Sequence, residues 1–267
     1  MGEAEIKDFF EQQINCWELA KRNFESLDLI KKKSFKVKDL DGYVQYNPAR
    51  KISTLAKVDK ENIGERKCFL CEKNRPKEQL SMDVILGWQL LVNPFPILPY
   101  HFTIVNKNHT HQKLEIETGI ELADKMPGFI IFYNDDGAGA SAPDHRHFQA
   151  IPINELPLIK LLNRKEQSKE RISLPFRYLT TELEIKEIKS PVNVFFWKNG
   201  VNETVKILGI PRKAHRPNEF FLDPPERRAF SPGAIDMGGV LVTPFETDFN
   251  KISNSEIKKI FAQVSYS

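Results

Sequence analysis

The stretch Asp144-His145-Arg146-His147-Phe148-Gln149 follows a turn of small residues, Asn134-Asp135-Asp136-Gly137-Ala138-Gly139-Ala140-Ser141-Ala142-Pro143. In an extended strand successive side chains alternate between faces. His145, His147 and Gln149 are therefore expected on one face, with Asp144, Arg146 and Phe148 on the other. The small-residue turn lets backbone N–H groups approach an anionic ligand closely. Imidazoles beside a phosphate-sized cradle point to nucleophilic histidine chemistry on a phosphate ester. A neutral imidazole attacks phosphorus and later leaves it, which divides one displacement into two. Glutamine suits a phosphoryl oxygen because its amide donates without adding titratable charge. The competing reading is a pair of surface histidines on an edge strand, or a plain metal site. It accounts less well for two histidines and a glutamine directly after such a turn.

Outward from this stretch the chain reads as short strands and helices. Ile6 to Leu27 carries Ile6, Phe9, Phe10, Ile14, Trp17, Ala20, Phe24 and Leu27 at helical spacing, one amphipathic helix. Phe35 to Tyr46 alternates as a strand, which Tyr46-Asn47-Pro48 ends because proline removes a donor and fixes φ. Val84 to Val92 reads as a buried strand, and His101 to Val105 as another. Leu114 to Lys125 has helical spacing, Phe129 to Tyr133 and Phe148 to Ile153 flank the turn as strands, and Leu156 to Lys169 is a further helix. Val192 to Trp197 and Thr204 to Ile210 form a hairpin about Asn199-Gly200, and Gly238 to Val242 is apolar. Strands separated by single helices favour an α+β protein with antiparallel sheets. After about residue 170 the pattern partly restarts without a second histidine pair. The expected division is a catalytic half with the N-terminal helix over residues 1–165 and a related, degenerate half over 166–267.

The 39 basic and 36 acidic residues leave a net charge of +3, too balanced to argue for nucleic acid. Lys31, Lys32, Lys33, Lys36 and Lys38 read as decoration of a solvated turn. No apolar run approaches the roughly 20 residues of a membrane span. Met1 to Phe10 does not read as a signal peptide, and Ile6 stands where myristoylation asks for Ser or Thr. A soluble, cytoplasmic protein is expected, with no membrane or nucleic-acid partner and no organic cofactor.

The three cysteines do not make a disulfide framework. In Cys68-Phe69-Leu70-Cys71, two thiolates with two intervening residues can clasp one tetrahedral zinc. Two more ligands are then needed, from among His101, His109, His111 and His145. A pair of bare reduced thiols is the alternative. A redox pair is weaker, because the motif opens no evident helix and lacks nearby Trp and Gly-Pro. Asn93-Pro94-Phe95-Pro96-Ile97-Leu98-Pro99-Tyr100-His101-Phe102 reads by itself as a proline-rich strand connection. Arg212, Lys213, His215 and Arg216 form a cationic group that suits a second phosphate or sugar phosphate, a solvated loop being the equal alternative.

Together, Asn93 to Val105, the turn Asn134 to Ser141 and His145-Arg146-His147-Phe148-Gln149 resemble the histidine-triad superfamily. Within it they are similar to the branch of galactose-1-phosphate uridylyltransferase and diadenosine tetraphosphate phosphorylase, which carries His-X-His-X-Gln. The likeness is dense between about residues 45 and 153 and thin beyond 190. Gly139-Ala140-Ser141 is closer to the phosphorylases, and Cys68-Phe69-Leu70-Cys71 to the uridylyltransferases, where such a pair binds zinc with two histidines.

The resemblance implies an α+β, histidine-triad-like fold of two related halves. It makes His147 the nucleophile that takes up a nucleoside monophosphate and Gln149 the phosphate-binding glutamine. His145 is implied as a zinc ligand whose carbonyl orients the His147 ring, and His109 as the fourth ligand beside Cys68 and Cys71. Asn134 and Ser141 match turn residues that contact phosphate; Asn93, Gly139 and Arg212 are further expected substrate contacts. Ala142 stands where the transferases carry a serine, and Arg146 replaces their proline, which argues against galactose 1-phosphate as acceptor. The implied activity is a nucleotidyltransferase or phosphorylase acting on a nucleoside diphosphate sugar or dinucleoside polyphosphate, with phosphate or a sugar phosphate as acceptor. Zinc is implied in a structural role. A homodimer is compatible with relatives that build a site across two subunits. The alternatives are a nucleotide-binding module without turnover and a nucleotide hydrolase.

Overall fold

The computed structural model describes residues 2–56, 63–64 and 66–267. In chain order, α1 (Glu3–Cys16) and α2 (Glu18–Glu25) lead into β1 (Lys31–Val37), β2 (Leu40–Tyr46) and α3 (Lys51–Thr54). Next come β3 (Met82–Ile85), β4 (Trp88–Val92), β5 (Phe102–Asn106), α4 (Ile116–Lys125), β6 (Phe129–Asn134), β7 (His147–Pro152) and α5 (Pro157–Ser168). The chain ends with α6 (Glu182–Lys186), β8 (Val192–Trp197), β9 (Lys206–Pro211), α7 (Ala234–Met237), β10 (Val240–Thr243), α8 (Glu246–Lys251) and α9 (Asn254–Val264).

Seven of these strands form one antiparallel sheet in the order β3-β4-β5-β7-β6-β8-β9. A smaller sheet, β1-β2-β10, joins β2 to β10 in parallel. The alternation expected around His147 holds within β7. Phe148 and Ala150 pack with Ile6, Phe9 and Phe10 of α1 and Leu122 of α4 on one face. Ile151 packs with Leu158 and Ile159 of α5 and Phe261 of α9 on the other. The Phe148 ring is fully buried, 5.4 Å from Trp88 and 5.6 Å from Tyr133. A truncation there costs about 3–5 kcal/mol, so β7 is anchored from the side opposite His147. Residue 165 falls inside α5, and the pairing of Ile131 with Phe196 carries the same sheet across it.

Three elements differ from the sequence reading. The helix expected over 6–27 is two helices, because Trp17 adopts an extended backbone (φ −128°, ψ 96°) and buries its indole. The strand expected over 35–46 is the β1–β2 hairpin, turned at Lys38 with φ 55°. A lysine in the left-handed region gives none of the glycine or Asn-Gly signal that marks such turns. Lys31, Lys32 and Lys33 consequently lie in an exposed edge strand rather than a turn, where charge discourages edge-to-edge pairing. The strand expected over 84–92 is likewise the β3–β4 hairpin, turned at Gly87 with φ 80°. Among the described residues no helix is long and apolar enough to cross a membrane.

Candidate functional site

β7 begins at His147, so His145 does not share its strand. It sits in a turn, its N–H donating to Ala142 O at 3.1 Å. That difference separates the two histidines. His145 Nε2 donates to Asn106 O at 2.7 Å, which leaves Nδ1 bare. Nδ1 lies 3.3 Å from Cys68 Sγ, 3.6 Å from Cys71 Sγ and 3.3 Å from His109 Nδ1. Cys71 Sγ lies 3.2 Å from His109 Nδ1, and the four ligand atoms all fall within 4.8 Å of one another. Tetrahedral zinc, with bonds of about 2.3 Å to sulfur and 2.0–2.1 Å to nitrogen, sets its ligand atoms about 3.3–3.8 Å apart. The cluster therefore fits such an ion. The Asn106 carbonyl is the kind of second partner that fixes a ligating imidazole. Burial, with the nearby charge of Asp144, pushes the Cys68 thiol up to about 12, a bias that a divalent cation would reverse by its own charge. Of the other zinc candidates, His111 is outside the cluster, and His101 is committed elsewhere.

The His147 ring is turned the other way. Its Nδ1–H donates to the His145 carbonyl at 2.8 Å, so Nε2 carries the lone pair. Nε2 has no hydrogen-bond partner among the described residues. His147 is 3% exposed, and burial pushes it down to about 4, leaving the imidazole neutral at physiological pH. Gln112 holds its backbone: Nε2 donates to His147 O at 3.0 Å and to Asn134 O at 2.8 Å, while Oε1 accepts from His147 N at 2.9 Å. One side chain thus pins the start of β7 to the end of β6.

Gln149 is oriented by His101. The Ile97 N–H donates to His101 Nδ1 at 3.2 Å, so His101 Nε2 bears the proton and donates to Gln149 Oε1 at 2.9 Å. The amide N–H₂ of Gln149 is left to face outward. Burial, reinforced by the charge of Arg50, pushes His101 down to about 3. Its ring stays neutral, which preserves this assignment.

His147 and Gln149 line a cavity of about 600 Å³ together with Asn93, Asn134, Gly139 and Ser141. Gly139 has φ +99°, and a Cβ there would meet the Gly233 Cα at 2.6 Å. The turn therefore packs directly against the segment before α7, which only a glycine allows. Among the described residues, the charged side chains on the cavity wall are Arg50, Arg66, Arg216 and Asp236. Arg66 pairs with Asp144 at 2.7 Å and lies 4.9 Å from the centre of the Phe69 ring. Burial raises Asp236 to about 6, with the N–H groups of Val242 and Gly233 bonded to its two oxygens.

Arg212 is not among the cavity residues, contrary to expectation. It is fully buried, and its guanidinium is committed to Val264 O, Asn193 Oδ1, Ala214 O, His215 O and Pro232 O. Nor does the cationic group act as one patch. Lys213 is exposed and bonds to Ala262 O, whereas only His215 and Arg216 reach the cavity. Gln112 and Asn193 escaped the sequence reading altogether. Gln112 gives no signal, since its role exists only where two strands end. Asn193 gives one: a polar residue inside the apolar run Val192-Asn193-Val194-Phe195 is expected to be buried and bonded.

The family described as "Domain of unknown function (DUF4922)" matches residues 9–152. Protein APA1 of Saccharomyces cerevisiae is 26% identical over 149 residues, covering 49% of this chain and 45% of the relative. The chain thus spans less than half the length of that curated relative. The crystal structure of yeast Ap4A phosphorylase Apa2 in complex with AMP aligns at a TM-score of 0.55 and 13% identity, covering 95% of this chain and 96% of that one. The complex of Apa2 with Ap4A aligns at 0.52 and 14% identity, covering 94% and 97%. The resemblance drawn from the histidine stretch, and the α+β fold of antiparallel sheets and helices that it implied, are borne out by these likenesses.

Proposed function

The chain belongs to the DUF4922 family, and we propose that it is a nucleotidyltransferase or phosphorylase acting through a covalent nucleotidyl–histidine. The observation that carries this reading is the ring of His147: neutral, held by its Nδ1–H, and presenting a bare Nε2 to a cavity of about 600 Å³. In the first step Nε2 forms a bond to the α-phosphorus of the nucleotide. The bond from phosphorus to the bridging oxygen breaks, and the remainder leaves with its electron pair. In the second, an oxygen of phosphate or a sugar phosphate attacks the same phosphorus and the P–N bond breaks, restoring the imidazole. Gln149 Nε2, Asn134 and the turn at Gly139 and Ser141, which line the same cavity, are the groups proposed to meet the equatorial oxygens, a contribution worth roughly a few kcal/mol per donor.

Among the described residues the cavity wall carries Arg50, Arg66 and Arg216 beside Asp236, with Arg66 paired to Asp144, and the remaining positive balance favours an anionic ligand. Apa2 was crystallised with Ap4A, and that supports a dinucleoside polyphosphate as the substrate to try first. Nucleoside diphosphate sugars are the second class. At the Cys68, Cys71, His109 and His145 cluster we place zinc, in a structural role. Its chemistry there is to bind thiolate and imidazole and so to brace the turn whose carbonyl orients His147.

Intact-mass measurement after incubation with Ap4A and a panel of nucleotide sugars tests the reading. A nucleotidyl adduct in the wild type that is missing in His147→Ala is the expected result. Tight binding with neither adduct nor turnover overturns it in favour of a binding module, and turnover that needs no phosphate acceptor identifies a hydrolase.

A further inference from the structure

We infer that Arg212 and Asn193 are positioning residues that fix the side-chain amide of Asn134 with its N–H₂ toward the cavity, an inference that rests on the nucleotidyl-transfer reading. Arg212, at the foot of β9, is 0% exposed, and among the described residues every partner of its guanidinium is an uncharged oxygen. A cation buried without a bonded carboxylate is costly. Its retention calls for a role, and the hydrogen-bond polarity supplies one. A guanidinium only donates. The atom of Asn193 that meets Arg212 Nη1 at 2.5 Å must therefore be the amide oxygen.

That choice propagates. With Oδ1 turned to Arg212, Asn193 directs Nδ2 to Asn134 Oδ1 at 2.9 Å and to Ala138 O at 2.7 Å. Asn134 Oδ1 accepts a second hydrogen bond, from Ala234 N at 2.7 Å. Both bonds require the oxygen on that side, so the Asn134 N–H₂ is the end left for the cavity, whose wall it shares with His147. The same guanidinium bonds Pro232 O at 2.9 Å, just before the Gly233–Ala234 segment that buttresses Gly139 and supplies the Ala234 N–H. Arg212 thus acts on Asn134 from both sides without touching a ligand. With the amide reversed, Asn134 would present an oxygen to a phosphoryl oxygen and repel it.

The test is a double-mutant cycle on Asn193→Asp and Asn134→Ala, read as AMP affinity by calorimetry and as the rate of adduct formation from Ap4A. Asn193→Asp still accepts from Arg212 but can no longer donate to Asn134 Oδ1. Each single variant is expected to weaken AMP binding about 10-fold, with the double no weaker than Asn134→Ala alone to within about twofold. A merely structural role for Asn193 gives losses that multiply, and that result overturns the inference. Should the melting curve show Asn193→Asp poorly folded, Asn193→Ser enters the same cycle. If the wild type binds AMP but forms no adduct, the transfer reading fails while the affinity cycle still decides the relay. A wild type that does not bind AMP overturns both.

Discussion

His145 and His147 stand two residues apart, and the chain treats them in opposite ways. The region around His145 is assembled from three distant stretches, is partly open at Cys71 and His109, and leaves a bare Nδ1 among two sulfurs and another imidazole. The region around His147 is closed. His101, Gln149 and His147 form a set in which every ring nitrogen but one is committed to a named partner. In each histidine a backbone carbonyl takes one N–H and so decides which nitrogen is left with its lone pair. The carbonyl of Asn106 sits on the Nε2 side of His145, and the carbonyl of His145 on the Nδ1 side of His147. One region gathers four ligand atoms that could hold a metal ion; the other is preorganised by the chain itself.

Removing the single uncommitted nitrogen is the strongest way to break this contrast. His147→Ala is expected to lower nucleotidyl transfer by about 10⁴-fold or more, since it deletes the proposed nucleophile. Its melting temperature should stay near that of the wild type, because Phe148 and Ala150 anchor the strand from the opposite face. Turnover measured with purified variant and calorimetric melting check both halves of this expectation. Next comes the other region. Cys68→Ser is expected to abolish binding of the proposed zinc and to slow adduct formation about 10- to 100-fold through the His145 carbonyl. Metal analysis together with stopped turnover decides it, and equal zinc content in variant and wild type removes the cluster from the account.

The strand around His147, the turn before it and the Cys-X-X-Cys pair were legible because their signals are local: spacing, small residues, and two thiols a fixed distance apart. Arg212 reads as a substrate contact in sequence because its charge is visible there but its burial is not. Gln112 was invisible, since its amide substitutes for a neighbouring strand just where the β6–β7 ladder stops, at Phe132 opposite Gln149. It offers a milder break than the first two. Gln112→Ala leaves the buried N–H and C=O of His147 without that partner, a loss of about 1–3 kcal/mol of stability. The same substitution should cost about tenfold in rate through a looser ring. Gln112→Glu keeps an acceptor for the His147 N–H and should fall between wild type and alanine. Urea titration and adduct kinetics of the three proteins check the order.

The smallest effect sharpens the comparison through pH. His101 supports Gln149 only as a neutral ring, and its ring is packed near Phe132, the Ile97 amide and the charge of Arg50. In the folded protein burial takes its pKa down to about 3, against about 6.5 in the unfolded chain. Above pH 6.5 neither state binds the proton, and the full stability is present. As pH falls from 6.5 toward 3 the unfolded chain takes up a proton that the folded protein refuses. His101 then removes about 1.4 kcal/mol of stability per pH unit. His101→Asn keeps an oxygen for the Ile97 N–H but cannot titrate. Whatever stability it loses at pH 7, its slope between pH 6.5 and 5 should be shallower than that of the wild type by about one proton's worth. Denaturant unfolding at four or five pH values in that window measures both slopes. Parallel lines would mean that the ring accepts its proton in place, and that the orientation of Gln149 is held by something other than a neutral His101.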